Sequence, residues 1–70
     1  MEKGDKVNIL NMKPDGYMFC EGQATVVKVL SSEEHIAVVR FKDGSKVRRY
    51  VCPDAQTREG LAAYLRHVNS

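Results

Sequence analysis

Basic side chains recur at alternate positions on both sides of a Lys-Asp-Gly segment in the second half of the chain. Arg40 precedes this segment, and Lys46 and Arg48 follow it. A short turn closed by glycine typically joins two antiparallel strands, and strand side chains alternate between two faces. These cations are therefore expected to share one face of a sheet, where Lys28 of the preceding strand joins them. A cluster of this kind can bind a polyanion such as the phosphate backbone of a nucleic acid.

This basic strand face is the first candidate site. With the turn lysine, and with a tyrosine that could stack on a base, the predicted nucleic-acid-binding residues are Lys28, Arg40, Lys42, Lys46, Arg48 and Tyr50. The alternative is an ordinary solvated face whose charge is offset by Glu33, Glu34 or Asp43. The whole chain carries 11 basic and 9 acidic residues, and this formal net charge of +2 is too small for tight non-specific binding of nucleic acid.

A second group of residues suits contact with another protein. Residues 11–22 include a Pro-Asp-Gly turn signal and are predicted to form one long loop that holds Tyr17 and Phe19. Rings in such a loop can stack on proline or surround a methylammonium group. Alternatively, they fold back onto the core of a small domain that lacks tryptophan. Together with apolar residues of the predicted sheet and helix, the candidate protein-interaction residues are Tyr17, Phe19, Leu30, Ile36 and Tyr64.

Residue patterns typical of catalysis or of a metal centre are missing. Cys20 and Cys52 are isolated, and with His35 and His67 they form neither Cys-x-x-Cys nor His-x-x-x-His spacing. The serines at positions 31, 32 and 45 lie in predicted turns without a partner base, and the glycines are too scattered for a phosphate-binding loop. We therefore expect a non-enzymatic protein with no catalytic residue, no cofactor and no metal.

Hydrophobic periodicity predicts the elements that position these residues. Strands are expected at residues 5–10, 23–30, 35–41 and 46–52, with Pro53 ending the last one. A helix is expected at residues 57–68, capped by Asp54 or Thr57, because apolar residues follow at helical spacing. Gly60 should weaken this helix by about 1 kcal/mol relative to alanine.

Turn lengths also predict a register. It pairs Val29 with Ala37 and pairs Val39 with both Val27 and Val47. This register gives one apolar core face: Val27, Val29, Ala37, Val39, Phe41, Val47 and Val51. Arg49 falls on the same face and is expected to extend toward its rim.

The opposite face is predicted to carry three rows across the sheet: Val26–Arg40–Lys46, Lys28–Val38–Arg48 and Leu30–Ile36–Tyr50. The last row is apolar. We expect either the C-terminal helix or a second copy of the chain to cover it.

Three short motifs resemble parts of SH3-like barrels of the KOW and Tudor type: GDKV at residues 4–7, GQATV at residues 22–26 and VRFKDGS at residues 39–45. The resemblance covers residues 3–55. It implies a mainly β fold, an SH3-like small barrel of about five short antiparallel strands, to which the predicted helix at residues 57–68 is added. Barrels of this class bind RNA, DNA, methylated or proline-rich peptides, or other proteins, so the fold alone does not select the partner.

Length and composition set the remaining expectations. Seventy residues suit a single domain spanning residues 1–70. No apolar stretch is long enough to cross a membrane, and no apolar leader follows Met1, so a cytoplasmic location is expected. The predicted function is a nucleic-acid-binding or regulatory module that uses the basic strand face. The alternative is a protein-interaction adaptor, homodimeric in one form, that uses the long loop and the apolar row.

Overall fold

The computed structural model describes residues 1–70 and contains four strands and one α-helix. Strand β1 spans Lys6–Met12, β2 spans Met18–Ser31, β3 spans Ile36–Phe41 and β4 spans Lys46–Tyr50. A 3-10 helix at Pro53–Ala55 leads into helix α1 at Arg58–Val68. The strands form one antiparallel meander in the order β1-β2-β3-β4. The mainly β class and the C-terminal helix are confirmed, but the sheet is open and has four strands rather than about five.

The long loop predicted at residues 11–22 is wrong. Strand β1 continues to Met12 and β2 begins at Met18, so only a tight turn separates them. Gly16 has a φ of +91° and donates its N–H to the Lys13 carbonyl at 2.9 Å, while the Lys13 N–H donates to the Tyr17 carbonyl at 2.8 Å. Pro-Asp-Gly therefore closes a hairpin and does not open a loop, since glycine adopts the left-handed conformation without strain.

Bulges allow β2 to serve as one continuous strand for two hairpins. Its register with β1 shifts next to Gly22, which has a φ of +127°. Its register with β3 shifts again at Val27 and at Leu30. Each bulge adds one unpaired residue and bends the strand. Gly22 thus lies at a bend within β2. From the sequence alone, a glycine at this position is instead expected to lie at the end of a strand.

The bulge at Val27 changes which valine enters the core. Val26, rather than Val27, pairs with Val39 and is buried, so the predicted place of Val27 on the core face is wrong. The other predicted core positions are buried or packed against the core. The predicted pairings of Val29 with Ala37 and of Val39 with Val47 are confirmed. The core also takes in Val7 and Ile9 of β1 and Ala24 of β2.

The side chain of Gln56 occupies the open edge of β1. Its Oε1 accepts the Asn8 N–H at 2.8 Å, and its Nε2 donates to the Asn8 carbonyl at 3.1 Å and to the Cys52 carbonyl at 2.7 Å. The Asn8 amide in turn donates to the Ala55 carbonyl at 2.8 Å. These bonds satisfy backbone groups that an edge strand otherwise leaves unpaired, and they hold the 3-10 helix against β1.

Helix α1 is capped at its start and bonded to β2 just past its end. The predicted cap at Thr57 is confirmed, since its side chain accepts the Gly60 N–H at 2.9 Å. At the other end, the Asn69 side-chain amide accepts the Met18 N–H at 2.8 Å and donates to the Met18 carbonyl at 2.9 Å. The helix has neither the length nor the apolar character needed to cross a bilayer.

Gly60 has a role that helix propensity does not describe. A Cβ at this position would collide with the Asp54 carbonyl oxygen and lie 2.8 Å from Thr57 Oγ1. The first turn of α1 therefore packs directly on the backbone of the 3-10 helix. The missing side chain permits this close approach, a role that the sequence did not indicate.

Candidate nucleic-acid interface

Four side chains stand in one row across the sheet, on the face opposite the core. Lys6 of β1 pairs with Thr25 of β2, Thr25 pairs with Arg40 of β3, and Arg40 pairs with Lys46 of β4. Their neighbours Val7, Val26 and Val39 point into the core, so by alternation this row points outward. Directly opposite residues in a sheet place their Cβ atoms about 4.5–5.5 Å apart. The row therefore concentrates three cations in a short span.

The next row adds two more cations. Lys28, Val38 and Arg48 are aligned across β2, β3 and β4, as predicted. In the neighbouring turn, Lys42 contributes a sixth cation beside Arg40. We call these six exposed residues the cationic patch: Lys6, Lys28, Arg40, Lys42, Lys46 and Arg48.

The cationic patch has no acidic partners within the chain. The one salt bridge in the protein joins Arg49 to Glu21, and neither residue belongs to the patch. Asp43, one of the acids expected to offset the charge, is occupied with Ser45. It accepts the Ser45 N–H at 3.0 Å and the Ser45 hydroxyl at 2.7 Å, and these bonds lower the pKa of the Asp43 carboxyl. The turn acids Glu33 and Glu34 form no ion pair either.

Arg49 is explained by its neighbour across the core face. Its Nε donates to Glu21 Oε1 at 3.0 Å, and its Nη1 donates to the Arg48 carbonyl at 3.1 Å. Both members of the pair are partly buried. Arg49 is therefore neutralised in place by Glu21, the unpaired residue of the β2 bulge.

A shallow depression of about 410 Å³ lies within the cationic patch. Lys6, Arg40 and Lys42 line it, together with the polar side chains of Gln23 and Thr25. It contains no acidic residue. A depression with three ammonium or guanidinium groups and two further polar groups suits an anion with several acceptor oxygens.

Two bulges alter the predicted rows. Val26 turns into the core, so Thr25 takes its place beside Arg40, and the predicted row Val26–Arg40–Lys46 is wrong at that position. Leu30 lies in a bulge, so Ser31 is the residue that pairs with Ile36, and Ile36 pairs with Tyr50 as predicted. The apolar row therefore keeps Ile36 and Tyr50, with Leu30 beside it.

Tyr50 presents an accessible ring at the apolar end of the outer face. Tyr50 is 51% exposed, and the His35 ring is nearly perpendicular to its ring, with the centroids 6.3 Å apart. Partial burial, the nearby Cys52 thiol and Tyr64 raise the pKa of Tyr50. The phenol therefore stays protonated and uncharged at neutral pH. Helix α1 leaves this end open, since Leu30 is also 44% exposed, and the helix cover expected for the apolar row is not formed.

The residues predicted for protein interaction do not form one surface. Tyr17 directly precedes β2 and Phe19 lies at its beginning, whereas Leu30 lies near its end and Ile36 begins β3. The Lys13 ammonium sits 5.4 Å from the Tyr17 ring centroid and 5.8 Å from that of Phe19. These two rings thus already contact a cation of their own chain.

Tyr64, the remaining residue of that group, projects from α1 toward Cys52. Partial burial, and then the Cys52 thiol, raise the pKa of Tyr64. No three His, Cys, Asp or Glu side chains are grouped so that they could hold a metal ion, and both cysteines are free.

Lys6 and Thr25 are the site residues that the sequence did not reveal. The alternation of Val7 and Ile9 already placed Lys6 on the outer face of its strand. Only the pairing of β1 with β2, which runs through the bulge beside Gly22, shows that Lys6 aligns with Arg40. Comparisons with protein-family models, with curated proteins and with solved structures find no match.

Proposed function

We propose that the protein is a non-enzymatic nucleic-acid-binding module that uses the cationic patch. One observation carries the proposal: six exposed cations share one region of the sheet, and no carboxylate of the chain pairs with any of them. Like charges at this spacing repel one another, and a phosphate backbone offsets that repulsion while releasing its own counterions. The arrangement supports electrostatic binding whose affinity falls with added salt.

We also propose that the open meander is related to the SH3-like barrels that its motifs resemble. Strands β1 and β4 approach each other without pairing, and Gln56 bonds to the edge of β1 that faces this gap. In this interpretation, the 3-10 helix and Gln56 occupy the position at which a further strand would pair with β1 in a closed barrel.

The test is a charge reversal on the patch, compared with an equal reversal elsewhere. The variant Arg40→Glu with Arg48→Glu should reduce binding of a fluorescein-labelled oligonucleotide by at least about 100-fold in an anisotropy titration at low salt. The control Arg58→Glu with Arg66→Glu makes the same change in net charge on exposed positions of α1. It should retain most of the affinity. Equal losses in the two variants, or no binding by the wild type, would rule out the patch as a nucleic-acid interface.

A second candidate function, a homodimer or adaptor contact, is favoured by the exposure of Leu30 and Tyr50 at the apolar end of the outer face. Sedimentation velocity tests it directly. If this end is a self-contact, the wild type should sediment as a dimer at micromolar concentration and Leu30→Lys should sediment as a monomer. A monomeric wild type would exclude the self-contact.

A further inference from the structure

We infer that the cationic patch and Tyr50 form a binding track for a single strand of nucleic acid that runs along β3 and β4. In this track the phosphates contact successive cationic rows and one base stacks on Tyr50. The inference rests on the proposed function and adds to it the strandedness of the ligand and a residue that contacts a base.

The spacing of the cations follows the direction of the strands. Lys46, Arg48 and Tyr50 are alternate residues of β4, and all three belong to the outer face. Arg40 stands beside Lys46, and Lys28 is aligned with Arg48 through Val38. Alternate residues of a strand are about 6.6–6.8 Å apart. This separation is comparable to that of neighbouring phosphates in an extended single strand, so one backbone can meet two cationic rows in succession.

The far end of the track changes from charged to aromatic. Beyond Arg48, the next outward position on β4 is Tyr50, with Ile36 beside it on β3 and Leu30 nearby. Tyr50 is half exposed, and the His35 ring is nearly perpendicular to its ring, so part of the Tyr50 ring is accessible from solvent. Bases stack on such rings whatever their sequence, because every base has a π face. The protonated phenol adds no negative charge beside the phosphates.

The same surface is poorly suited to a duplex. The major groove of a duplex admits a helix or a two-stranded ribbon. The strand residues of the cationic patch instead spread over all four strands of the sheet, with Lys6 on β1, Lys28 on β2, Arg40 on β3, and Lys46 and Arg48 on β4. Moreover, the bases of a duplex are stacked on one another, so none is free to stack on Tyr50.

The experiment compares a labelled oligo(dT) strand with a labelled hairpin duplex of equal phosphate number, by fluorescence anisotropy at several salt concentrations. The wild type should bind the single strand more tightly. Tyr50→Leu should weaken single-strand binding about 10-fold, the expected loss of one stacked base, and leave the salt slope and duplex binding unchanged. Tyr50→Phe keeps the ring and should match the wild type. Lys46→Gln should reduce the magnitude of the single-strand salt slope by about 0.7, the contribution of one phosphate contact.

The outcomes separate this inference from the proposed function. Equal binding of the two ligands, or a preference for the duplex, would overturn the single-strand track and leave the cationic patch as a general nucleic-acid surface. An unchanged affinity of Tyr50→Leu would overturn the stacking role. Binding of neither ligand would overturn both proposals. The wild-type chain can also be cross-linked by ultraviolet light to a bromouracil-substituted strand. The cross-link should lie on the peptide that contains Tyr50. A cross-link confined to other peptides would contradict the track.

Discussion

Arg48 and Arg49 are neighbours in the chain, yet they lie on opposite faces of the sheet and in opposite electrostatic settings. Arg49 faces the core side and is neutralised by Glu21 at 3.0 Å. Arg48 faces outward among five other cations and has no carboxylate partner. Burial explains the difference, because a partly buried charge without a partner costs far more free energy than an exposed one. The fold therefore pairs the cation on its inner face and leaves those on its outer face available.

Polar side chains away from the cationic patch are likewise paired. Gln56 and Asn69 each satisfy both backbone groups of one strand residue, and no buried side-chain polar atom lacks a partner. On the outer side, the lysines and arginines of the cationic patch reach into solvent. Substitutions of these paired side chains should therefore change stability and leave binding unchanged. Substitutions in the cationic patch should do the reverse.

The largest effect on stability is expected for Gln56→Ala. The substitution removes three hydrogen bonds, to the Asn8 N–H, the Asn8 carbonyl and the Cys52 carbonyl. At about 1 kcal/mol each, the free energy of unfolding should fall by about 2–3 kcal/mol, as measured by urea denaturation. Because a domain of this size has only about 3–5 kcal/mol of net stability, the loss is severe.

Gln23→Ala is the matched control for Gln56→Ala. Gln23 is exposed on β2, and its side chain makes no hydrogen bond within the chain. Its removal should change the free energy of unfolding by less than about 0.5 kcal/mol. If the two glutamine variants have equal stability, Gln56 does not hold the 3-10 helix to β1.

Gly60→Ala should have the next largest effect, and its sign separates two interpretations of this glycine. Helix propensity alone predicts a gain of about 1 kcal/mol. The collision of a new Cβ with the Asp54 carbonyl oxygen should cost about 1–3 kcal/mol, which leaves a net loss of up to about 2 kcal/mol. Thermal unfolding followed by circular dichroism measures the sign. Ala62→Gly, at an exposed position of the same helix, reports the propensity difference without the collision, and a more stable Gly60→Ala would refute the close contact.

The β3–β4 hairpin shows how far the sequence can specify structure. The Lys-Asp-Gly turn set its register residue by residue, and all the predicted pairs are formed. Strand β2 could not be predicted in the same way, because Thr25, Val26 and Val27 are all β-branched and suit either face. A bulge within such a run leaves no alternation to reveal it.

The same limit applies to the candidate site. Arg40, Lys46 and Arg48 were found together because one short turn aligns them. Lys6 was missed because its alignment with Arg40 passes through two strand pairings, each of them interrupted by at least one bulge. The role of Gln56 depends on hydrogen bonds to Asn8, which is distant in the chain. The role of Gly60 depends on a close approach to the backbone of Asp54. Neither composition nor periodicity reports such contacts.

The smallest effect, and the most direct test of the two faces, comes from Arg49→Gln and Arg48→Gln, which make the same chemical change at adjacent positions. Arg49→Gln breaks the ion pair with Glu21, whose partners are 33% and 20% exposed, so the free energy of unfolding should fall by no more than about 1 kcal/mol. A double-mutant cycle with Glu21→Gln should recover that coupling. Arg48→Gln should leave stability unchanged and weaken oligonucleotide binding, with a shallower salt dependence. If Arg49→Gln weakened binding as much as Arg48→Gln, the net charge of the molecule would determine affinity. The proposal that only the outer face of the sheet binds nucleic acid would then be refuted.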